Sequence, residues 1–289
     1  MQKVKYARAN SVDEAIALLD KGGATARPLA GGTDLIVQAR ERRRQVELFV
    51  DIKPIPETQD LKYDARNGLT IGASLPAYKI YGNENVRRLY PALVDATSVI
   101  GGTAIQGRAS LGGNLCNSSP AADSVTAMIA LEAVANIAGP KGRRSVPVET
   151  FATGPGRNIL EQGEFVVSIH FPAPAPNSGT AWDRFIPRNE MDIAVVNAGV
   201  QLRFDGGRVS WAKVAIGAVA PTALVVPAAA EALVGRPLSD ATIKAAAEAA
   251  MAAARPIDDM RGSIRQRKHL VGVYVERMIR KAAERARGG

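Results

Sequence analysis

Between residues 100 and 122 the chain reads IGGTAIQGRASLGGNLCNSSPAA, a concentration of glycines, small hydroxyls and amides directly ahead of an apolar, helix-like stretch. Gly112 and Gly113 permit positive φ and close approach of the backbone to a ligand, while Asn114, Asn117, Ser118 and Ser119 add short polar groups. Such a loop can cradle something polar and phosphorylated. Pro120 stands where a first helical residue is favoured, with Ser119 as its N-cap and Val125, Met128, Ile129 and Leu131 as the apolar stripe behind it. The unpaired amides and positive dipole end of that helix would face the loop and favour an anion. Taken alone, an ordinary turn capped by Ser119 fits this loop equally well.

A second glycine turn shifts the balance. Residues 28–35 read PLAGGTDL, a short apolar run, two glycines, then Thr33 and Asp34 opening Leu35, Ile36 and Val37. No G-x-G-x-x-G follows a strand and no G-x-x-x-x-G-K-[ST] occurs, so neither a Rossmann nor a P-loop site is expected. Two separated turns of small residues suit an extended dinucleotide held from both sides of its diphosphate, with backbone amides in place of a lysine.

The elements that must position these turns can be traced along the chain. Ser11 and Glu14 form a capping-box pattern ahead of Ala15, Ile16, Leu18 and Leu19, which predicts a helix over 12–21. Strands are expected over 27–30 and 48–52, making a small α/β unit. A second unit begins near Leu61, with a strand over 69–73, a helix over 86–98, the long glycine loop and its helix, and strands over 134–138 and 165–171 around the turn PKGRR. The prolines of PAPAPNSG, 172–179, resist both helix and central strand and mark a boundary. Beyond it, 193–204 and 208–219 flank Asp205, Gly206 and Gly207 as a hairpin. Alanine-rich segments over 228–234 and 241–254 and a last helix over 263–285 then back a three-stranded sheet. The expected class is α+β, divided at 1–57, 58–175 and 176–289.

Composition narrows the function. The 289 residues suffice for two or three compact units. The single cysteine, Cys116, excludes an intrachain disulfide and cannot by itself ligate an iron–sulfur cluster. With no signal-like apolar core, and with Pro221 and Pro227 interrupting the most apolar late stretch, the reading is a soluble, cytoplasmic protein without a membrane span. The net charge of +9 invites nucleic-acid binding, but only 5% of residues are aromatic and Glu41, Glu47, Glu276 and Glu284 interleave the basic runs. No nucleic-acid partner is expected. No H-E-x-x-H, no cysteine ligand set and no G-x-S-x-G elbow is present, so neither a metal site nor a catalytic residue is assigned.

AGGTDL near the start and ASLGGNLCNSSPAAD in the middle together resemble the FAD-binding medium subunit of the molybdenum hydroxylases, the family of carbon monoxide dehydrogenase and xanthine dehydrogenase. KYARANSVDEAIALL, FATGPGRNIL, AIGAVAPTA and PIDDMRGSIRQRKHL extend the likeness over nearly the whole chain. The resemblance implies the FAD-binding fold of the vanillyl-alcohol oxidase and carbon monoxide dehydrogenase flavoprotein type, with two N-terminal subdomains and a C-terminal sheet domain. It places Leu29, Ala30, Gly31, Gly32, Thr33, Asp34 and Leu35 on the flavin diphosphate. Ser110, Gly112, Gly113 and Asn114 match a second grip, Asn117 a further polar contact, and Asp123 a carboxylate suited to ligand hydroxyls. Ile100 and Ile105 match apolar positions beside the flavin or adenine, and Val166 and Ile186 match positions that close over the cofactor. Ile186, Pro187 and Arg188 stand where several relatives carry a lysine, which leaves Arg188 or Arg108 as the source of positive charge near the ring.

By resemblance the chain binds FAD noncovalently and passes electrons from [2Fe-2S] clusters of a small subunit to an external acceptor. Substrate is oxidised at a molybdenum cofactor on a large subunit, the three chains forming a dimer of heterotrimers. The basic tail and RGSIRQRK offer docking surfaces. The rival reading is a self-sufficient FAD-dependent oxidase of the vanillyl-alcohol oxidase type, which would need a substrate pocket of its own in the last hundred or so residues.

Overall fold

The structure, a computed structural model, describes residues 3–288. Strands β1 (Lys5–Arg8), β2 (Ala26–Leu29) and β3 (Leu48–Asp51) form a parallel sheet in the order β1-β3-β2. The helix Val12–Gly22 makes the first crossover. Ser11 Oγ caps it by accepting from the Glu14 amide at 3.1 Å, while Glu14 reaches back to the Asn10 amide at 2.7 Å, one residue beyond the position a strict capping box uses. Ligand-binding loops of parallel sheets leave at the carboxyl ends of the strands, and residues 30–34 leave β2 there before the helix Leu35–Arg40.

Strands β4 (Leu61–Asp64), β5 (Gly68–Gly72), β6 (Val134–Gly139), β7 (Gly142–Pro147) and β10 (Phe165–Phe171) form an antiparallel sheet in the order β4-β5-β10-β6-β7; the short β8 (Ala152–Gly154) and β9 (Arg157–Asn158) pair separately. A bulge in β10 between Val166 and Ser168 switches the parity of its side chains. Phe165 and Val167 therefore pack toward Val12, Ala15 and Leu19, while Val166, Ile169 and Phe171 join the core with Leu69, Ile71 and Met128. The helix expected over 86–98 is two helices, Glu84–Leu89 and Pro91–Thr97, because Pro91 cannot donate back and instead opens the second one.

The third sheet, β11 (Ser178–Phe185), β12 (Val196–Asp205), β13 (Arg208–Gly217) and β14 (Leu224–Val225), is antiparallel. Its three long strands match the expected sheet, and the two-residue β14 adds a fourth at the edge. Gly206 and Gly207 turn the hairpin at φ of 52° and 78°. Helices cover both faces. A Cβ at Gly179 would lie 2.0 Å from the Ala282 carbonyl oxygen of helix Ile264–Arg287, and one at Gly199 would lie 2.4 Å from the Thr126 carbonyl oxygen of helix Asp123–Ala130. The last helix is less free as a docking surface than its charge suggests. Arg285 and Lys281 bind Asp95, Arg280 binds Asp240 and Glu276, and the buried Arg267 binds Asp259 and the Val195 carbonyl.

Candidate functional site

A cleft of about 500 Å³ lies where the first sheet meets the second unit. Both glycine segments line it. The turn 30–34 contributes Ala30, Gly31, Gly32, Thr33 and Asp34, the following helix Leu35 and Gln38, and the second segment Ile100, Ser110, Gly113, Asn114, Cys116 and Asn117. Leu29 is buried beneath the turn, where a Cβ at Gly32 would meet its side chain.

Direct contact holds the two segments together. A Cβ at Gly31 would lie 1.8 Å from the Arg108 carbonyl oxygen, so this position has no room for any side chain. Arg108 Nε donates to the Gly31 carbonyl at 3.4 Å, and Gln38 Nε2 donates to Asn117 Oδ1 at 2.9 Å. Behind the turn, Lys53 Nζ donates to the Ala30 carbonyl at 3.0 Å and also binds Asp51, whose other oxygen accepts from Tyr6. Burial pushes the Asp51 carboxyl up, yet the bonds from Lys53 and Tyr6 outweigh it and hold the group below its ordinary range.

The two segments present their backbones differently. No amide from Gly31 to Leu35 donates to a protein acceptor among the described residues, a row of donors suited to phosphate oxygens. In the second segment Gly112 donates to Ala73, Gly113 to Ser110 Oγ and Asn114 to the Ser110 carbonyl. Gly112 and Gly113 are helical, not left-handed, because the glycine motif is itself the helix Leu111–Asn117 with Ser110 as its N-cap. Gly112 is small for packing: a Cβ there would lie 2.5 Å from that of Ala73. The expected cap at Ser119 and helix start at Pro120 are also displaced. Ser119 Oγ accepts from Ala121, and the next helix begins at Asp123 after Ala122. Replacing Ser110 by Ala removes the cap and is expected to lower stability by about 1 kcal/mol, read from a urea unfolding midpoint, with weaker ligand binding because Ser110 lines the cleft.

The remaining assigned positions stand around the cleft rather than in its lining. Ile105 packs under Gly101, Val166 is in the core, and Ile186 is half-buried just after β11. Asp123 is buried in an ion pair: Arg184 Nη1 donates to its Oδ2 at 2.8 Å, while Oδ1 is buried without a partner among the described residues. Burial pushes this carboxyl up to about 6, against the opposing pull of Arg184. Arg184 also donates to the Val99 carbonyl at 3.0 Å and the Asp192 carbonyl at 3.2 Å, so one buried guanidinium ties the third sheet to the wall carrying Ile100. Asp34 is exposed, yet desolvation raises its carboxyl. Burial pushes the Cys116 thiol up to about 12, which keeps it a neutral packing group and not a nucleophile.

Sequence reasoning missed part of the lining. Arg27, Arg44 and residues of the segment 156–164, including Asn158, Leu160 and Gln162, complete the cleft. Asn158 Nδ2 donates to the Cys116 carbonyl at 3.0 Å and fastens that segment to the glycine helix. The only signal was the clustered glycines of FATGPGRNIL. Among the described residues no group of His, Cys, Asp and Glu could hold a metal ion, and no helix is long and apolar enough to cross a membrane.

The sequence matches the family described as the FAD binding domain in molybdopterin dehydrogenase over residues 2–174, and the CO dehydrogenase flavoprotein C-terminal domain over 184–282. It is 32% identical to a xanthine dehydrogenase FAD-binding subunit of Escherichia coli O157:H7, covering 98% of this chain and 97% of that one. It is also 32% identical to the carbon monoxide dehydrogenase medium chain of Hydrogenophaga pseudoflava, covering 97% of each. Among solved structures it superimposes on carbon monoxide dehydrogenase from Hydrogenophaga pseudoflava with a TM-score of 0.94 at 33% identity, covering 98% of both chains. Quinoline 2-oxidoreductase from Pseudomonas putida 86 gives a TM-score of 0.91 at 30% identity, covering 99% of this chain and 98% of that one.

Proposed function

Because the chain belongs to the FAD-binding subunit family of the molybdenum hydroxylases, we propose that it is the electron-transfer subunit of a heteromeric molybdenum hydroxylase of cytoplasmic location. Substrate oxidation takes place on a large molybdenum-cofactor chain, and a small [2Fe-2S] chain lies between the two, in a dimer of heterotrimers. We divide the chain at 1–57, 58–175 and 176–289, the first two parts holding the cofactor between them.

The residues of the cleft fit FAD. The single observation that carries this reading is the row of unpaired amides at Gly31 to Leu35, which begins where Gly31 lies against the Arg108 carbonyl with no room for a side chain. Those amides bind the diphosphate, Ser110 and Asn114 orient the ligand from the facing helix, and Asp123, buried behind the lining in its pair with Arg184, braces that wall. Ile100, with Ile105 behind it, and Val166 and Ile186 further out give the apolar surround that excludes water. When bound, FAD supplies the redox chemistry that links one-electron carriers on a partner to an external acceptor. This chain's own residues hold, orient and shield the cofactor, and none is required as acid, base or nucleophile.

A partner-facing surface is also present. Met191, Ile193, Ile257, Met260 and Ile264 are exposed, Met260 at 94%, on two loops and a helix start that Arg267 ties together through Val195 and Asp259. Large exposed apolar side chains gathered in this way mark an interaction face.

Purification of the tagged chain from its source organism tests the whole reading. Heat or acid should release FAD, co-purifying chains should carry molybdenum and iron–sulfur centres, and Met260→Asp should lose those chains while keeping its FAD. Absence of flavin, or turnover of small alcohols or aldehydes by the isolated chain, would sink it; turnover alone would favour the self-sufficient oxidase. Helices on both faces of the third sheet leave that oxidase little room for a pocket there.

A further inference from the structure

We propose that Lys53 is a positioning residue for the first glycine turn: by holding the Ala30 carbonyl from behind, it turns the Gly31 amide of the same peptide toward the cleft and its ligand; this rests on the FAD reading above. Lys53 Nζ donates to the Ala30 carbonyl at 3.0 Å. No peptide among the described residues is cis, and in a planar trans peptide the C=O and N–H bonds point in opposite directions. The Ala30 carbonyl and the Gly31 amide belong to one such unit. With its oxygen fastened to Lys53, which does not line the cleft, the unit aims its N–H the other way, at the space that Ala30 and Gly31 do line. That amide finds no acceptor among the described residues.

The lysine is itself held in place. Leu29 pairs with Asp51, and the Ile52 amide donates to the Leu29 carbonyl at 3.2 Å, so the chain leaving β3 runs beside the turn leaving β2. Ile52 enters the core, and the side chains of Asp51 and Lys53 on either side of it pair with each other. Lys53 Nζ and the Lys53 amide both donate to Asp51 Oδ1, and Tyr6 from β1 donates to Oδ2 at 2.6 Å. Both carboxylate oxygens are therefore engaged, which keeps the ammonium from swinging out to solvent. All three strands of the first sheet converge in this way on one carbonyl.

Charge makes this bond more than a fastening. An ammonium on the oxygen side of a peptide polarises the whole unit and strengthens the donor at its other end, and charge-assisted bonds are about twice as strong as neutral ones. Lys53 therefore favours an anion at the Gly31 amide without touching it. The two glycines cannot fix the plane by themselves, since glycine has the widest backbone freedom of any residue, so the anchor has to come from outside the turn. Arg108 is the weaker counterpart one peptide on: its Nε reaches the Gly31 carbonyl at 3.4 Å from an exposed position.

The test titrates the full chain, freed of flavin, with FAD and follows flavin fluorescence. Lys53→Met should weaken FAD by roughly tenfold to a hundredfold and Tyr6→Phe by about twofold to tenfold, while Lys53→Arg, which keeps the charge and can fork to both acceptors, should restore most of the affinity. The melting point of the flavin-free Lys53→Met chain should stay close to that of the unaltered one, because Asp51 keeps its bonds from Tyr6 and from the amide of residue 53. Amide hydrogen exchange at saturating FAD reads the peptide directly: Gly31 should be protected in the unaltered chain and lose that protection in Lys53→Met, while Gly113, whose amide is bonded to Ser110 Oγ, keeps its own. Unchanged FAD affinity, unchanged Gly31 protection, or a melting point that falls in step with affinity would each overturn the proposal. A folded, unaltered chain that binds no FAD would instead overturn the FAD reading, and this inference with it.

Discussion

A chain carrying Gly31→Ala is expected to fold but to emerge from purification largely colourless. The added Cβ would lie 1.8 Å from the Arg108 carbonyl oxygen, 2.5 Å from its carbon and 3.2 Å from the Ala109 nitrogen. All three are backbone atoms, so no rotamer can relieve the clash. The turn must move off the segment that carries Ser110, and the row of free amides at 31–35 loses its register against the facing helix. Overpacking of this kind costs about 1–3 kcal/mol, which corresponds to a loss of roughly tenfold to a hundredfold in FAD affinity. Gly113→Ala is the contrast, because its Cβ would meet only Ser110 Oγ, at 3.1 Å. It should retain most of its flavin. The flavin-to-protein absorbance ratio of the two variants, measured beside their melting curves, checks the prediction; a fully loaded Gly31→Ala protein would show that the two segments do not act as one grip.

Arg184→Met should be the most destabilising of the single substitutions near the cleft. It leaves Asp123 buried without its counter-charge and removes the donors to the Val99 and Asp192 carbonyls. Breaking a buried ion pair from one side costs about 3–5 kcal/mol. The urea midpoint should fall accordingly, and FAD should be lost with it as the wall at Ile100 loosens. The effect carries a pH signature. Burial already holds the Asp123 carboxyl at about 6 with Arg184 opposing the shift, so removing Arg184 pushes it further up. A raised acid pKa means that the folded state binds the proton more tightly than the unfolded one, so this group's contribution falls as pH rises through the window between its unfolded and folded values. The deficit of Arg184→Met relative to the unaltered chain should therefore be smaller at pH 5 than at pH 8. Adding Asp123→Asn, which removes the charge and keeps the shape, should recover a good part of the loss and abolish the pH dependence. A deficit unaltered by pH and by the second substitution would mean that the pair is not the source.

Much of the molecule follows from local chemistry and was legible in the residues. Ser11 caps the helix Val12–Gly22, the glycines after Asp205 turn a hairpin, and the prolines from Pro172 fall in the non-strand link between β10 and β11. Each depends on atoms within a few residues. The two glycine segments were legible too, because close packing against them demands small residues in one sequence.

What those glycines do was decided elsewhere. Gly31 and Gly112 are spared a side chain by the backbone of Arg108 and by Ala73 respectively, while Gly113 lines the cleft with only Ser110 Oγ close by; sequence presents all three alike. The bulge in β10 sends Val166 into the core by a register shift against Ile137 and Asn136 that only the partner strand defines. Arg184 and Asp123 are sixty-one residues apart, and the cleft unites Arg27, Arg44, Ser110 and Asn158 from separate elements. Pairings and surfaces of this kind exist only once distant strands have docked. The sequence alone thus determined the Ser11 cap, the hairpin turn after Asp205 and the cofactor class; the tertiary structure decided which backbone amides stay free, which charges are buried and paired, and which side chains wall the cleft, because each of those is set by atoms far away along the chain.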